Sequence, residues 1–543
     1  MGQFVSAYLS FFVDGPFFTI LLGLLFFSLC LYIQTNRKPA GVPPGPFGLP
    51  VVGNLLQLGS TPHTSLAKIS QVYGPIVSLR LGSRDVIVLN TCEVVKEAFG
   101  KKSVQFSGRP RVYSFDKNSN GGRSIPFSDY GPRQVLHKKC AVQSLQALFK
   151  EPVRLQKLVL HELGKIKALL IWNEGGPLMS PEFLRKAVLS LSFRLTFGDL
   201  QKDHDMLRDE LYLVLDKARD FMENTSSSVL LDFMPWLWFA LRKKAKILEN
   251  SVDGLLGFVE KVYRIRKEKD NKSQNWSFAV ELEKIVSEVN MKGSKQNDEN
   301  AKLFPSDMAV LPTHCPQDTG KDAFLKLDDE DQVTILTDIF ASGYETVSSS
   351  LGWALVYLLR NPNVLKDLYK ELDEVLGENY LPSINDKPNL PLLEATVLET
   401  LRLSTVVPLA IPHCTTEETR LAEYLLPKGT MVLANLWSVN RDPRYFHDPE
   451  KFNPYRFIDE RSGNIKQNLT QYMMSFSAGA RRCLGYSLAK AEMFLFLGGL
   501  IKMFKIEGTN HDQPDLQSKF GFVLMPKSFK IKLSLRNSDS HII

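Results

Sequence analysis

Between Phe476 and Gly485 a single cysteine stands between a turn rich in glycine and arginine and an apolar run that predicts a helix from about Tyr486. That setting suits a thiolate. Arg481 and Arg482 place positive charge beside Cys483, and the helix N-terminus adds partial positive charge and free N–H groups. Gly479 and Gly485 permit a tight turn and let something large and flat approach the backbone. Phe476 would shield one side of the sulfur. The plain alternative is a buried thiol beside a surface arginine pair. The fixed spacing Phe-x-x-Gly-x-Arg-x-Cys-x-Gly weighs against it.

With those residues in place, the stretch resembles the haem-thiolate loop of the cytochrome P-450 monooxygenases. The resemblance implies haem b as cofactor, with Cys483 as the axial ligand of its iron and Phe476, Gly479, Arg481 and Gly485 around it. An axial thiolate pushes electron density onto iron and favours O–O cleavage. It also implies O2 as co-substrate, and NADPH as the indirect electron source.

Length and composition agree with one large body. A chain of 543 residues, 44% hydrophobic, can bury a large core, and no internal repeat divides it. The resemblance implies a fold that is mainly α with small β-sheets, a single haem domain over 47–536 behind an N-terminal transmembrane helix. Residues 1–36 are the anchor, 37–46 a basic and Pro-rich hinge, and 537–543 a tail. Six scattered cysteines without CxxC spacing point to reduced thiols facing the cytosol and away from a zinc site. The formal charge of +7 suits an anionic membrane surface or an acidic protein partner and does not by itself indicate nucleic acid.

From Met1 to Asn36 the only charged side chain is Asp14, and Phe17 to Ile33 is continuously apolar, near the lower limit for a spanning helix. Arg37 and Lys38 follow, so the positive-inside rule puts the body in the cytosol. A cleaved signal peptide is disfavoured by the missing charged n-region. Together with the resemblance this predicts a single-pass protein of the endoplasmic reticulum membrane. Clustered prolines at Val42–Pro46 make a stiff spacer. Ile76–Leu81 and Val86–Leu89 read as a hairpin around Gly82–Asp85, and Thr91 can cap the helix that follows. A further helix opens near Arg133. Where the family has Trp and Arg donating to a haem propionate, this chain has Gln134 and Lys138, which keep an amide donor and a charge but lose the planar fork. Lys138 and Lys139 also read as a solvated face.

Residues 140–290 read as amphipathic helices broken at Gly175–Pro177 and Asp232–Pro235. Trp236, Leu237, Trp238 and Phe239 could line a substrate entrance or dip into lipid, with core packing the bland account of each. Residues 288–322 read as a long polar loop in which His314 and Cys315 have no partners at metal spacing. Sequons at Asn224, Asn271, Asn275 and Asn468 would stay unmodified in the cytosol.

Asp328 to about Leu359 reads as one long buried helix, with Asp328 in reach of a capping role. It carries Ala341-Ser-Gly-Tyr-Glu-Thr346. Glycine costs about 1 kcal/mol against alanine in a helix, and a threonine hydroxyl bonded back to a carbonyl bends it, so a groove is expected here. A kinked helix with a solvated glutamate reads equally well. The stretch resembles the family's Gly-x-acid-Thr motif, with Ser342 in place of Ala or Gly. The resemblance implies that Thr346 positions water and steadies activated oxygen, and that Glu345 helps relay protons.

Leu392–Leu403 reads as a helix carrying Glu399 and Arg402, which by themselves make an ordinary i, i+3 pair. Phe452-Asn-Pro454-Tyr-Arg456-Phe457 resembles the family's Pro-x-Arg-Phe. By resemblance Glu399, Arg402 and Arg456 form a buried network holding the loop to Cys483. His413 after Pro412 resembles a propionate partner beside Arg481, and Met431–Val439 reads as a strand. All four motifs occur in the family's order, nearest to the animal microsomal group with steroid 17-hydroxylases and aryl-hydrocarbon hydroxylases. No nucleotide-binding fingerprint appears, so the resemblance implies a reductase partner, with cytochrome b5 as a second donor and a lipophilic substrate such as a steroid, fatty acid or xenobiotic. Lys138, Lys139, Arg481, Arg482 and Lys490 are expected as the docking patch. A haem-thiolate isomerase or dehydratase, which Glu345-Thr346 disfavours, and a non-catalytic haem-binding protein are the alternatives.

Overall fold

The computed structural model describes residues 41–172, 182–199, 230–269, 276–293, 326–377, 380–509, 513–519 and 521–536, with parts of 19–30, 178–180 and 207–213. Most of the predicted anchor, the break at 175–177, the polar stretch over 294–325, the sequons at Asn224, Asn271 and Asn275 and the tail lie outside the described residues. Among the described residues no helix is long and apolar enough to cross a membrane.

Helix dominates. The elements used below are α1 (Pro62–Tyr73), α2 (Pro132–Phe149), α3 (Pro152–Trp172), α4 (Glu182–Phe197), α5 (Trp238–Lys269), α6 (Phe278–Gly293), α7 (Asp329–Arg360), α8 (Pro362–Leu376), α9 (Pro391–Ser404) and α10 (Tyr486–Met503). The long helix α7 organises them, and its ends are set locally. Asp328 accepts from the Asp331 N–H at 2.8 Å, and the Asp331 carboxylate accepts from the Asp328 N–H at 3.0 Å. This reciprocal cap satisfies two donors that helix geometry leaves unpaired. At the far end Pro362 forbids helical backbone at Asn361, so α7 stops and α8 starts. From Val347 to Leu358 every side chain of α7 is buried. A helix apolar all round must sit inside a core, and α7 packs against α4, α5, α9 and α10.

One sheet flanks this bundle. β1 (Ile76–Leu81) and β2 (Arg84–Leu89) form an antiparallel hairpin. Its turn is tighter than expected: Arg84 pairs with Leu81 and Asp85 with Arg80, whose side chains meet at 3.0 Å. With β3 (Leu178–Ser180) lying in another sheet, the first is completed by β4 (His413–Cys414) and β5 (Met431–Ala434), in the order β1-β2-β5-β4. β6 (Phe504–Gly508) and β7 (Phe529–Leu535) build the second sheet with β3, in the order β3-β7-β6. The strand expected to run to Val439 ends at Ala434. The Asn435 side chain there accepts from the Ser438 N–H at 3.3 Å and caps a short helix over Leu436–Val439. Asparagine offers the backbone that alternative to pairing. Thr91 takes the N-cap position before a helical turn, but its side chain makes no cap bond.

Core packing does not account for the aromatic cluster at the start of α5. Trp236 is 57% exposed and Phe239 86%. Their rings face outward, which leaves the entrance and lipid readings.

Candidate functional site

Cys483 sits at the end of a tight turn. Its N–H donates to the Phe476 carbonyl at 3.1 Å. Gly479 takes φ +69°, and a Cβ there would fall 1.5 Å from the Phe99 carbonyl oxygen, so glycine alone fits. The Ala480 N–H donates to the Ser103 hydroxyl at 2.7 Å. Gly485 is the N-cap of α10, whose first turn carries Tyr486. Phe476 packs edge-on against that ring at 6.4 Å.

The charges beside the sulfur are arranged differently from the expectation. Cys483 is exposed, yet the protein packed around it desolvates the thiol enough to raise it above its ordinary range, against the pull of the Gly485 N–H, Arg482 and Lys138. Arg481 turns inward instead. Its Nε donates to the Ser107 carbonyl, Nη1 to the Ile125 carbonyl and Nη2 to the Ser128 carbonyl, each at 2.8 Å. Lys138 donates to the Ala480 carbonyl. Arg481 and Lys138 therefore leave the expected docking patch. Lys139 and Lys490 are half-buried and Arg482 is exposed, its guanidinium 4.0 Å from the Tyr486 ring centre.

Arg109, which carried no signal in the sequence beyond its place before Pro110, joins this cluster. Its Nε donates to the Pro126 carbonyl at 2.7 Å and its Nη1 to the Pro412 carbonyl at 2.8 Å. Burial and Arg481 bring Lys138 down to about 8. Burial brings Arg481 down to about 10, against Asp129 and Tyr130. Arg109 is lowered well below its ordinary value by burial and by Arg481. His413 lies 3% exposed, stacked on Phe99 at 3.7 Å, and burial and Arg109 keep its ring neutral. Its Nδ1–H donates to the Phe106 carbonyl at 2.6 Å. Nε2 is thus left as an acceptor unless the ring gains a proton. Gln134 is buried, and its amide donates to the Ile125 carbonyl at 3.2 Å rather than pointing out.

Buried cations that depress one another call for an anion. Here the nearest carboxylate is Asp129, which accepts the Arg109 and Tyr130 N–H groups at 3.0 and 2.9 Å. A flat cofactor bearing carboxylates, placed against the Gly479 turn, fits this donor set.

On α7 the Thr346 hydroxyl donates to the Ser342 carbonyl at 2.8 Å, and the Ser342 hydroxyl to the Asp338 carbonyl at 2.6 Å. The back-bonding is as expected, yet α7 runs on without a break through Gly343. Gly343 instead admits α4: a Cβ there would lie 3.3 Å from the Ser192 hydroxyl. Glu345, about 100° round the helix from Thr346, is buried with its Oε2 3.2 Å from Arg185 of α4. α7 packs on α10, the helix that the Cys483 turn opens.

Glu399, Arg402 and Arg456 meet as one group. Arg402 grips Glu399 with two bonds, Nε to Oε2 at 2.7 Å and Nη2 to Oε1 at 2.8 Å, and both side chains are fully buried. Arg456 Nε reaches Oε1 at 3.1 Å, and the Asn453 N–H donates there at 2.9 Å. Arg402 also donates to the Asn440 and Pro449 carbonyls at 2.8 Å.

A cavity of about 1160 Å³ lies between α1, the hairpin and the residues after α9, lined by Val112, Phe115, Phe233, Leu433, Phe522 and Leu524 among others. Residues 112–115 and 230–234 contribute to its wall. Neither Cys483 nor Thr346 lines it.

Residues 43–533 match the family described as Cytochrome P450. The chain is 31% identical over 522 residues to rat (Rattus norvegicus) Cytochrome P450 1A1, covering 93% of each chain. It is 32% identical over 533 residues to chicken (Gallus gallus) Steroid 17-alpha-hydroxylase/17,20 lyase, covering 96% of this chain and 98% of the relative. Human (Homo sapiens) Cytochrome P450 1B1 is 32% identical over 515 residues, 93% of this chain and 89% of its own.

Proposed function

The chain belongs to the cytochrome P450 family, and on that premise we propose that it is a membrane-anchored monooxygenase inserting one atom of O2 into a lipophilic substrate. It is an oxidoreductase of a family that uses haem b and O2, with electrons from NAD(P)H delivered through a reductase. The observation that carries the reading is the inward-turned set of Arg109, Lys138 and Arg481 beside Cys483, balanced among the described residues by Asp129.

Each side chain then has a task. The Cys483 sulfur would hold the iron, and metal binding would strip its proton despite the desolvation that raises it. Arg481, Arg109 and Lys138 would neutralise the propionates, with His413 joining if the negative charge of a nearby propionate raises its ring enough to take up a proton from water. Haem, when bound, supplies oxygen activation and transfer to carbon. The Thr346 hydroxyl, fixed on the Ser342 carbonyl, keeps its lone pairs for water and so orients the proton donor. Glu345 serves this site through Arg185, as a group that can exchange its partner. The largely apolar cavity, which neither Cys483 nor Thr346 lines, would serve as the approach by which a steroid, fatty acid or planar xenobiotic reaches the haem side. The steroid class has the added support of the chicken relative's name. The exposed Trp236, Trp238 and Phe239 suit the lipid interface, in keeping with an endoplasmic reticulum location, a cytosolic body and a microsomal NADPH reductase, with cytochrome b5 as second donor.

The test is NADPH-dependent oxygen uptake by the purified full chain with reductase, across steroid, fatty acid and planar aromatic panels. Product carrying one added oxygen is expected from at least one panel; no uptake above reductase alone would overturn the reading. In the same assay Thr346→Ala should keep oxygen uptake while the ratio of product to oxygen falls at least about 10-fold, a fraction of the ~10²–10⁴-fold that a positioned proton-transfer group contributes, because water can partly replace the hydroxyl. An unchanged ratio would remove Thr346 from proton handling.

A further inference from the structure

Three side chains on one face of α7, at positions 331, 334 and 338, hold the segment 120–125 that leads into α2. Asn120 Nδ2 donates to the Thr334 hydroxyl at 2.7 Å, and Arg123 Nη1 to Asp331 at 2.8 Å. Asp338 takes two contacts, the Ser124 hydroxyl on Oδ1 at 2.9 Å and the Ile125 N–H on Oδ2 at 2.7 Å. The Ile125 carbonyl in turn accepts Arg481 Nη1 and the Gln134 amide. Ile125 therefore joins the oxygen-side helix to the arginine of the Cys483 turn. We propose that Asp338 is a positioning residue that pins segment 120–125, and with it the acceptor of Arg481, against α7.

The two carboxylates of this clasp differ in their response to protons. Burial works against the Asp331 charge, but His137, the Asp328 N–H and Arg123 outweigh it and hold that carboxyl far below its ordinary range. Among the described residues no such cation serves Asp338. Arg133 and His137 of α2 lie on Asp331, Arg185 of α4 on Glu345 and Lys267 of α5 on Asp329, while Arg481 is bound to carbonyls. Burial pushes the Asp338 carboxyl up to about 7 against the pull of Ile125 and Ser124. A carboxyl raised in the closed state takes up a proton on closing, so closure is favoured as pH falls through 7 and weakest above it. Chemistry allows this. The protonated acid still accepts the Ile125 N–H on its carbonyl oxygen, and its O–H can donate to the Ser124 oxygen. Both hydrogen bonds survive and a buried charge is shed.

The link from Ile125 to cofactor binding rests on the haem reading above, but the experiment does not. Amide hydrogen exchange over 119–128 in the purified full chain, corrected for intrinsic rates, reports the clasp without turnover. Protection should rise roughly tenfold between pH 8 and pH 6. Asp338→Asn should be flat across that range at the wild-type acid level, because its amide accepts from Ile125 and donates to Ser124. Asp338→Ala should lose protection at every pH, with global unfolding measured alongside to show that the fold survives. Wild-type protection that is level or falls in acid, a slope that persists in Asp338→Asn, or full protection in Asp338→Ala would each overturn the proposal.

Discussion

Cys483→Ala is expected to abolish both the thiolate-type carbon monoxide spectrum of the reduced protein and all oxygen-dependent product. Among the described residues three other cysteines lie in the folded body, and none belongs to the Phe476–Gly485 turn. Cys92 and Cys140 are buried with thiols raised by burial, and Cys414 lies on β4 with its thiol raised to about 11 by burial and Asp129. The fold should tolerate the change. The turn is held by backbone contacts, the Cys483 N–H on Phe476 and the Gly479 approach to Phe99, which alanine leaves intact. Far-ultraviolet circular dichroism should therefore match the parent while the spectrum disappears. Survival of the thiolate-type spectrum in a folded variant would exclude Cys483 as the iron ligand and take the functional reading with it.

Arg402→Ala should cost about 3–5 kcal/mol, the scale for removing one partner of a buried ion pair. The loss has two parts. Glu399 would keep only Arg456 and the Asn453 N–H, and the Asn440 and Pro449 carbonyls would lose their donor. Set against a net stability of roughly 5–15 kcal/mol for a whole domain, the variant should unfold at markedly lower denaturant and retain little cofactor. Equilibrium unfolding in urea reads this directly. A midpoint equal to the parent's would mean that the network contributes no net stability. Glu399→Gln should fall in the same direction, since it strands two guanidinium groups. A double variant that replaces Glu399 and Arg402 by apolar residues should lose less than the two single losses combined, because the tight pair leaves together and only Arg456 loses its carboxylate.

The parts of this molecule that were legible beforehand are those decided within a few residues. Asp328 and Pro362 bound α7 through a cap and a steric clash, both local. The Gly479 turn is local too, since a positive φ next to an apolar helix start needs no distant partner to be recognised. The Thr346 back-bond to Ser342 follows from helical spacing alone. The strand that ended early at Ala434 shows the limit: Asn435 caps the next helix while its amide reaches His63 and Asn90, far away in the chain.

Arg481 and Arg482 make the same point most clearly. They are adjacent and alike in chemistry, so the amino-acid order determines only that positive charge borders Cys483. The tertiary structure decided that one turns in to three carbonyls of residues 107–128 while the other stays exposed over Tyr486. Arg109 and Asp338 belong to that second class, because their partners lie hundreds of residues away. Sequence order sets the local backbone through sterics and spacing, whereas the burial that raises or lowers a charge exists only once distant segments have closed around it.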